Sequence, residues 1–168
     1  MPDQKGFSLV ETMVALLVLL AVTLGVLPLT LIATKTTENQ GHLTARTTEY
    51  AQDKLEQLLA LAYGDVTSDT RVFPTADGGS NGLTPGGSTD PNAPVNGYVD
   101  YLDINGTLVA PGIDGAPADW YYRRVWAISV PREKLKQVTV TAIVRRASTG
   151  GVGRIPSATV MALKSFPF

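Results

Sequence analysis

Three hydrophobic patterns follow one another along this chain. The first is continuous. From Phe7 to Leu31 apolar residues run almost unbroken, and Thr12 to Thr34 contains no charged side chain. At 1.5 Å of rise per residue, about 20 residues cross the hydrocarbon core of a bilayer, so this stretch predicts one membrane-spanning helix. Two features interrupt it. Glu11 places a carboxylate near its start, at roughly 2.5–3.5 kcal/mol on insertion scales. Pro28, with Gly25 just before it, predicts a bend where a backbone hydrogen bond is lost.

The second pattern has helical spacing. Leu43, Tyr50, Leu55, Leu58, Leu59 and Ala62 recur mostly at three- and four-residue steps, with Thr47 and Ala51 filling in. Arg46, Glu49, Asp53, Lys54 and Glu56 are assigned to the solvated face. Gly64 supplies a stop signal. One helix from Phe7 to Tyr63 would be about 85 Å long if straight, far more than a small soluble domain needs.

The third pattern has period two. Before it, residues 74–97, "PTADGGSNGLTPGGSTDPNAPVNG", are too rich in Gly, Pro, Asn and Asp for a regular element and read as an irregular surface excursion. "YVDYLDINGTLV" has Asn105-Gly106 between two β-prone runs, a hairpin signal. "DWYYRRVWAISV" sets Trp120, Tyr122, Trp126, Ile128 and Val130 on one face, with Arg124 interrupting. "KQVTVTAIVRR" points Val138, Val140, Ala142 and Val144 inward and Thr139 and Thr141 outward. The connector "PREKL" joins these two strands as an antiparallel hairpin, and "SATVMALKSF" supplies a further strand. The fold class is therefore α+β. A long N-terminal helix spans the membrane with its first half and packs its amphipathic second half on the apolar face of a C-terminal antiparallel sheet.

Composition changes this picture in two places. The chain has 168 residues, a formal net charge of −1 and no cysteine, so thiolate metal sites, redox pairs and disulfides are excluded. The near-zero charge hides a split. Residues 60–118 hold seven Asp against Arg71 alone, whereas residues 119–168 hold nine Lys or Arg against Asp119 and Glu133. Either the two segments face each other in one fold, or the second exposes a basic patch.

The start of the apolar run carries a further signal. "MPDQKG" is a short polar leader ending in Gly6, "FSLVE" follows, and the run is succeeded by "TKTTENQGH" rather than a small-x-small cleavage site. Gly6, Phe7, Ser8, Leu9, Val10 and Glu11 resemble, position by position, the N-terminal signature of type IV pilins and pseudopilins. "AQDKLEQLLALAYGD" is similar to the equivalent stretch of PilV-type minor pilins and of minor pseudopilins of type II secretion. The resemblance implies a pilin-like fold, cleavage between Gly6 and Phe7 by a prepilin peptidase, and N-methylation of Phe7. Asp3 offsets Lys5, where such leaders are usually net basic. The expected organisation is a cleaved leader over 1–6, a transmembrane or filament-core helix over 7–33, an amphipathic stem over 34–63 and a periplasmic head over 64–168. Cleavage would leave an α-ammonium on Phe7. Glu11 lies one turn away and could pair with it, or, as the family implies, with the Phe7 amine of an adjacent subunit; otherwise it is a snorkelling interfacial acid. The family links a proline such as Pro28, here after Gly25, to a break in the helix.

Other candidate chemistry is thin. "GGSNG" matches the nucleophile-elbow pattern around Ser80, but that motif needs a strand before it and a helix after it, and His42, the single histidine, falls on the stem helix. Asp103 and Asn105 before Gly106 are a fragment of a calcium loop, with Asp100 or Asp114 able to assist; Tyr101 holds the first ligand position and no closing Glu follows, so a turn is the favoured reading. Arg123, Arg124, Arg145 and Arg146, if clustered on one exposed face, would make a binding face for DNA or a surface ligand. The reading reached is a structural minor pilin without catalysis or cofactor. Its partners are other pilin subunits, the prepilin peptidase and an inner-membrane assembly platform, with its N-terminus cytoplasmic and its head periplasmic. A type II secretion pseudopilin and a membrane-anchored DNA- or surface-binding module are the alternatives.

Overall fold

A computed structural model of the chain describes residues 8–109, 115–145 and 155–167. One helix, α1 (Leu9–Ala60), is followed by β1 (Gly86–Gly87), β2 (Val99–Leu102), β3 (Leu108–Val109), β4 (Tyr122–Arg132), β5 (Leu135–Val144) and β6 (Ser157–Ser165). The chain forms two units, Met1–Gly41 and His42–Phe168. The arrangement is α+β and pilin-like: one long N-terminal helix, of which the residues from His42 on pack on a six-stranded antiparallel sheet.

In the first unit all described residues from Leu9 onward are helical, Gly25 and Pro28 included. Pro28 has no amide hydrogen for the Leu24 carbonyl, so one helical bond is missing without ending the helix. Every large apolar side chain from Leu9 to Ile32 is more than half exposed, and the segment is long and apolar enough to cross a membrane. Water offers such a surface no cover; hydrocarbon does.

In the second unit the helix residues from His42 to Ala60 pack on the sheet. Strand order is β3-β2-β4-β5-β6, with β1 paired to β4 as well. Ala51 and Leu58 meet Trp126, Ile128, Val138, Val140 and Ala142, with Leu83 and Tyr98 closing the cluster. The hairpin at Asn105-Gly106 is present as β2–β3, and a two-residue turn at Glu133-Lys134 joins β4 to β5. Lys134 takes φ 61° there, the left-handed conformation a tight hairpin turn requires.

Four expectations change. The helix ends at Ala60 rather than Tyr63, its last turn tightening as the Leu61 amide donates to the Leu58 carbonyl. The excursion over 74–97 is not wholly irregular or superficial. Gly86 and Gly87 pair with Ile128 and Ala127, and Leu83 is fully buried. A Cβ on Gly87 would lie 2.1 Å from the Trp126 carbonyl oxygen, so the strand exists because it has no side chain there. Val130 is exposed, beyond a register shift between Ser129 and Arg132. Trp120 precedes β4 and packs on the opposite face, against Val99, Tyr101 and Val125. The inward row Val138, Val140, Ala142 and Val144 is as expected, while Thr141, on the other face, is also covered and bonds Thr159 at 3.0 Å.

Candidate functional site

Gly6 and Phe7 lie outside the described residues, as do Asp114 and Arg146. The described part of the N-terminal segment begins at Ser8, whose hydroxyl accepts a hydrogen bond from the Glu11 amide at 3.3 Å. Ser8 thus caps the helix, and Glu11 stands exposed in its first turn, where a carboxylate also suits the positive end of the helix dipole. The spacing Ser-x-x-Glu is that of a capping box, a signal in "SLVE" that the motif reading left unused.

In the head, charge is concentrated where helix meets sheet. Asp100 on β2 and Arg124 on β4 are direct cross-strand partners. Arg124 Nε and Nη2 donate to Asp100 Oδ1 and Oδ2 at 2.7 and 2.8 Å, a bidentate pair. Lys54 of α1 reaches the same carboxylate at 2.7 Å, sits 4.4 Å from the centre of the Trp126 ring and donates to the Thr70 carbonyl. Arg124 Nη1 turns to Asp53 at 3.0 Å. Burial alone would push the Asp100 carboxyl up, but Lys54 and Arg124 outweigh it and hold it below the usual carboxylate range. Burial pushes the Lys54 ammonium down, and Asp100, shared with Arg124, does not restore it.

This corrects two assignments. Arg124 is 3 % exposed and belongs to the interior, not to an outer ligand face; Lys54 is 1 % exposed, not part of a solvated surface. Both betray themselves by position. Arg124 has the parity of Tyr122 and Trp126, and Lys54 falls three residues after Ala51 and four before Leu58. The charge split is thus partly resolved inside the fold, since an acid of the middle segment meets a base of the last.

Arg123 and Arg145 lie on the other face of the sheet, 4.5 and 5.4 Å from the Trp120 ring. Each is also tied to main chain: Arg123 Nη1 donates to the Pro91 carbonyl at 2.5 Å, and Arg145 Nη1 to that of Ala118 at 2.7 Å. Two of the four arginines therefore come together, fastening loops to the sheet.

The remaining candidates take structural positions. Ser80 sits in a loop, without the flanking strand and helix of a nucleophile elbow, and its buried hydroxyl has no hydrogen-bond partner among the described residues. Asp103 Oδ1 accepts the amides of Asn105 and Thr107, both at 2.8 Å, which closes the hairpin loop. Among the described residues no three His, Cys, Asp or Glu gather as metal ligands.

What decides the wider reading is the N-terminus. The family profile described as "Prokaryotic N-terminal methylation motif" matches residues 1–27. The chain opens with a methylation motif. This type IV pilin-like signal overlaps the start of the exposed helix, which is long and apolar enough to cross a membrane. No curated protein and no solved structure matches the chain.

Proposed function

We propose that this chain is a minor pilin, a structural subunit cleaved between Gly6 and Phe7, N-methylated on Phe7 and drawn from the inner membrane into a type IV pilus. The methylation motif over residues 1–27 carries this reading. From Thr12 to Thr34 the helix it opens carries no charge and exposes apolar side chains, as a filament core requires, and the head packs with no cysteine. In this role Glu11 is the counter-charge for the Phe7 ammonium of a neighbouring subunit, and Gly25 with Pro28 marks where the helix opens on assembly. The head is periplasmic and the N-terminus cytoplasmic. Function is mechanical rather than catalytic. A pseudopilin of type II secretion has the same physical requirements and stands as the alternative. A DNA-binding module is less well supported, because Arg123, Arg124 and Arg145 already donate to protein acceptors.

The test is the mass and location of the mature chain. Intact-mass analysis should find a protein starting at methylated Phe7, Gly6→Val should retain the leader, and the chain should occur in sheared pili. A wild-type chain that still begins at Met1 in cells with active peptidase would sink the proposal; presence in a secretion pseudopilus instead would select the alternative.

A further inference from the structure

β6 is the outermost strand of its sheet. β5 occupies one side, and among the described residues no segment pairs with the other. Two hydrogen bonds at its ends show which groups remain free. The Phe166 amide donates to the Lys134 carbonyl at 2.9 Å, and the Val144 amide to the Pro156 carbonyl at 3.4 Å. Bonded and non-bonded pairs alternate along an antiparallel ladder. With β5 and β6 paired residue for residue from Leu135↔Ser165 to Ile143↔Ser157, the even-numbered residues of β6 bond β5. Ser157, Thr159, Met161, Leu163 and Ser165 turn their N–H and C=O groups outward.

Among the described residues most of the usual guards of an edge are missing. Ser157–Ser165 contains no proline or glycine, its pairing has no bulge, and its one charge, Lys164, is turned inward to the Leu59 carbonyl at 2.6 Å. Met161 and Leu163 are 60 % and 58 % exposed on the face away from the helix.

We propose that this edge pairs with β6 of a second copy of the chain, antiparallel and centred on Met161. In that register Met161 faces its own copy, Thr159 faces Leu163 and Ser157 faces Ser165. All are outward-bonding residues, so every free backbone group of the strand finds a partner. Lys164 falls opposite Ala158, which keeps like charges apart, and Met161 and Leu163 of both copies close into one apolar cluster. The pairing is isologous and stops at two. The other edge of the sheet does not offer this, since β3 has two residues, Leu108–Val109. The pairing stands whether or not the chain is a pilus subunit.

The cysteine-free sequence allows a direct test with the full chain in detergent micelles. Met161→Cys sets two thiols on residues whose Cα atoms would be about 5.5 Å apart, within disulfide range. Ile104→Cys, 64 % exposed on the β2–β3 loop, reports chance collision and pairing through the anchor. Under mild oxidation the Met161→Cys chain should form covalent dimers at least about tenfold faster; equal rates overturn the proposal. Met161→Pro removes an amide the fold does not use, so an edge strand tolerates it. It should weaken the dimer seen by light scattering by about tenfold or more, with an unchanged circular dichroism spectrum. A wild-type chain that stays monomeric, or a folded proline variant that dimerises equally well, also overturns it; should that variant not fold, the cysteine comparison decides.

Discussion

Asp100 holds two cations that burial would otherwise make expensive. Its carboxylate is fully enclosed, with Lys54 and Arg124 each within 2.8 Å. Removing one member of a buried ion network leaves the others without compensation, which costs more than the network contributes when whole. Asp100→Asn should therefore destabilise the head by about 3–5 kcal/mol in urea unfolding. Lys54→Met, which leaves the bidentate Asp100–Arg124 pair intact, should cost clearly less. A second expectation concerns acid. Asp69 is held below its usual pKa chiefly by hydrogen bonds from Arg71; in Asp65 burial pushes the carboxyl up, but the Ser68 hydroxyl and the Ser68 and Thr67 amides outweigh it and hold it low. Asp100 is depressed as well. Below about pH 4 the unfolded chain binds protons that the folded chain refuses, so stability present at neutral pH is lost as pH falls through the folded-state values. The urea midpoint should drop between about pH 5 and about pH 2, and less steeply in Asp69→Asn.

At the scale of elements, the end of α1 depends on the far end of the chain. Its last carbonyls have no helical donors. Lys164 of β6 donates to the Leu59 carbonyl at 2.6 Å, and Lys136 of β5 to those of Tyr63 and Leu83 at 2.7 and 2.8 Å. The two lysines are direct cross-strand partners, a like-charged pair stabilised by the negative end of the helix dipole. β1 depends on a different constraint, the space beside Trp126. Gly87→Ala should detach it, speeding protease cleavage within residues 74–97 and lowering stability by more than Gly78→Ala, where a Cβ meets open space and the positive φ is the main cost. These elements also show what the sequence could reveal. The spanning helix, the amphipathic stem, both hairpins and the last strand follow from period and turn chemistry, because water and the pleat impose them locally. β1 could not be read, since two glycines carry no pattern and their reason lies forty residues away. Lys54 and Arg124 were misassigned because residue type outweighed parity; charge suggested solvent while position indicated the core. Of the candidate site, the methylation motif was legible, and the joining of Arg123 with Arg145 around Trp120 was not, because it needs a loop placed over the sheet.

For the whole molecule, the open question is what Glu11 does beyond starting a helix. Ser8 and Glu11 have the spacing of a cap, and Gln serves a capping box nearly as well as Glu. Glu11→Gln should therefore leave helix formation, membrane insertion and leader cleavage intact. If the carboxylate neutralises a neighbour's Phe7 ammonium, the same change strands that charge, and the ratio of this chain in sheared filaments to that in membranes should fall by about tenfold or more. Equal incorporation would mean that Glu11 acts through the helix start alone. One substitution thus separates a local role from a collective one.

Lys164 and Leu59, joined in the finished head, are separated by 105 residues in sequence. The chain is made from its N-terminus, so the helix end is synthesised long before the residue that caps it. Contacts this distant are assembled slowly and late. The head is a clasp whose catch is β6: until that strand has emerged, the stem helix is left with open carbonyls and an uncovered apolar face.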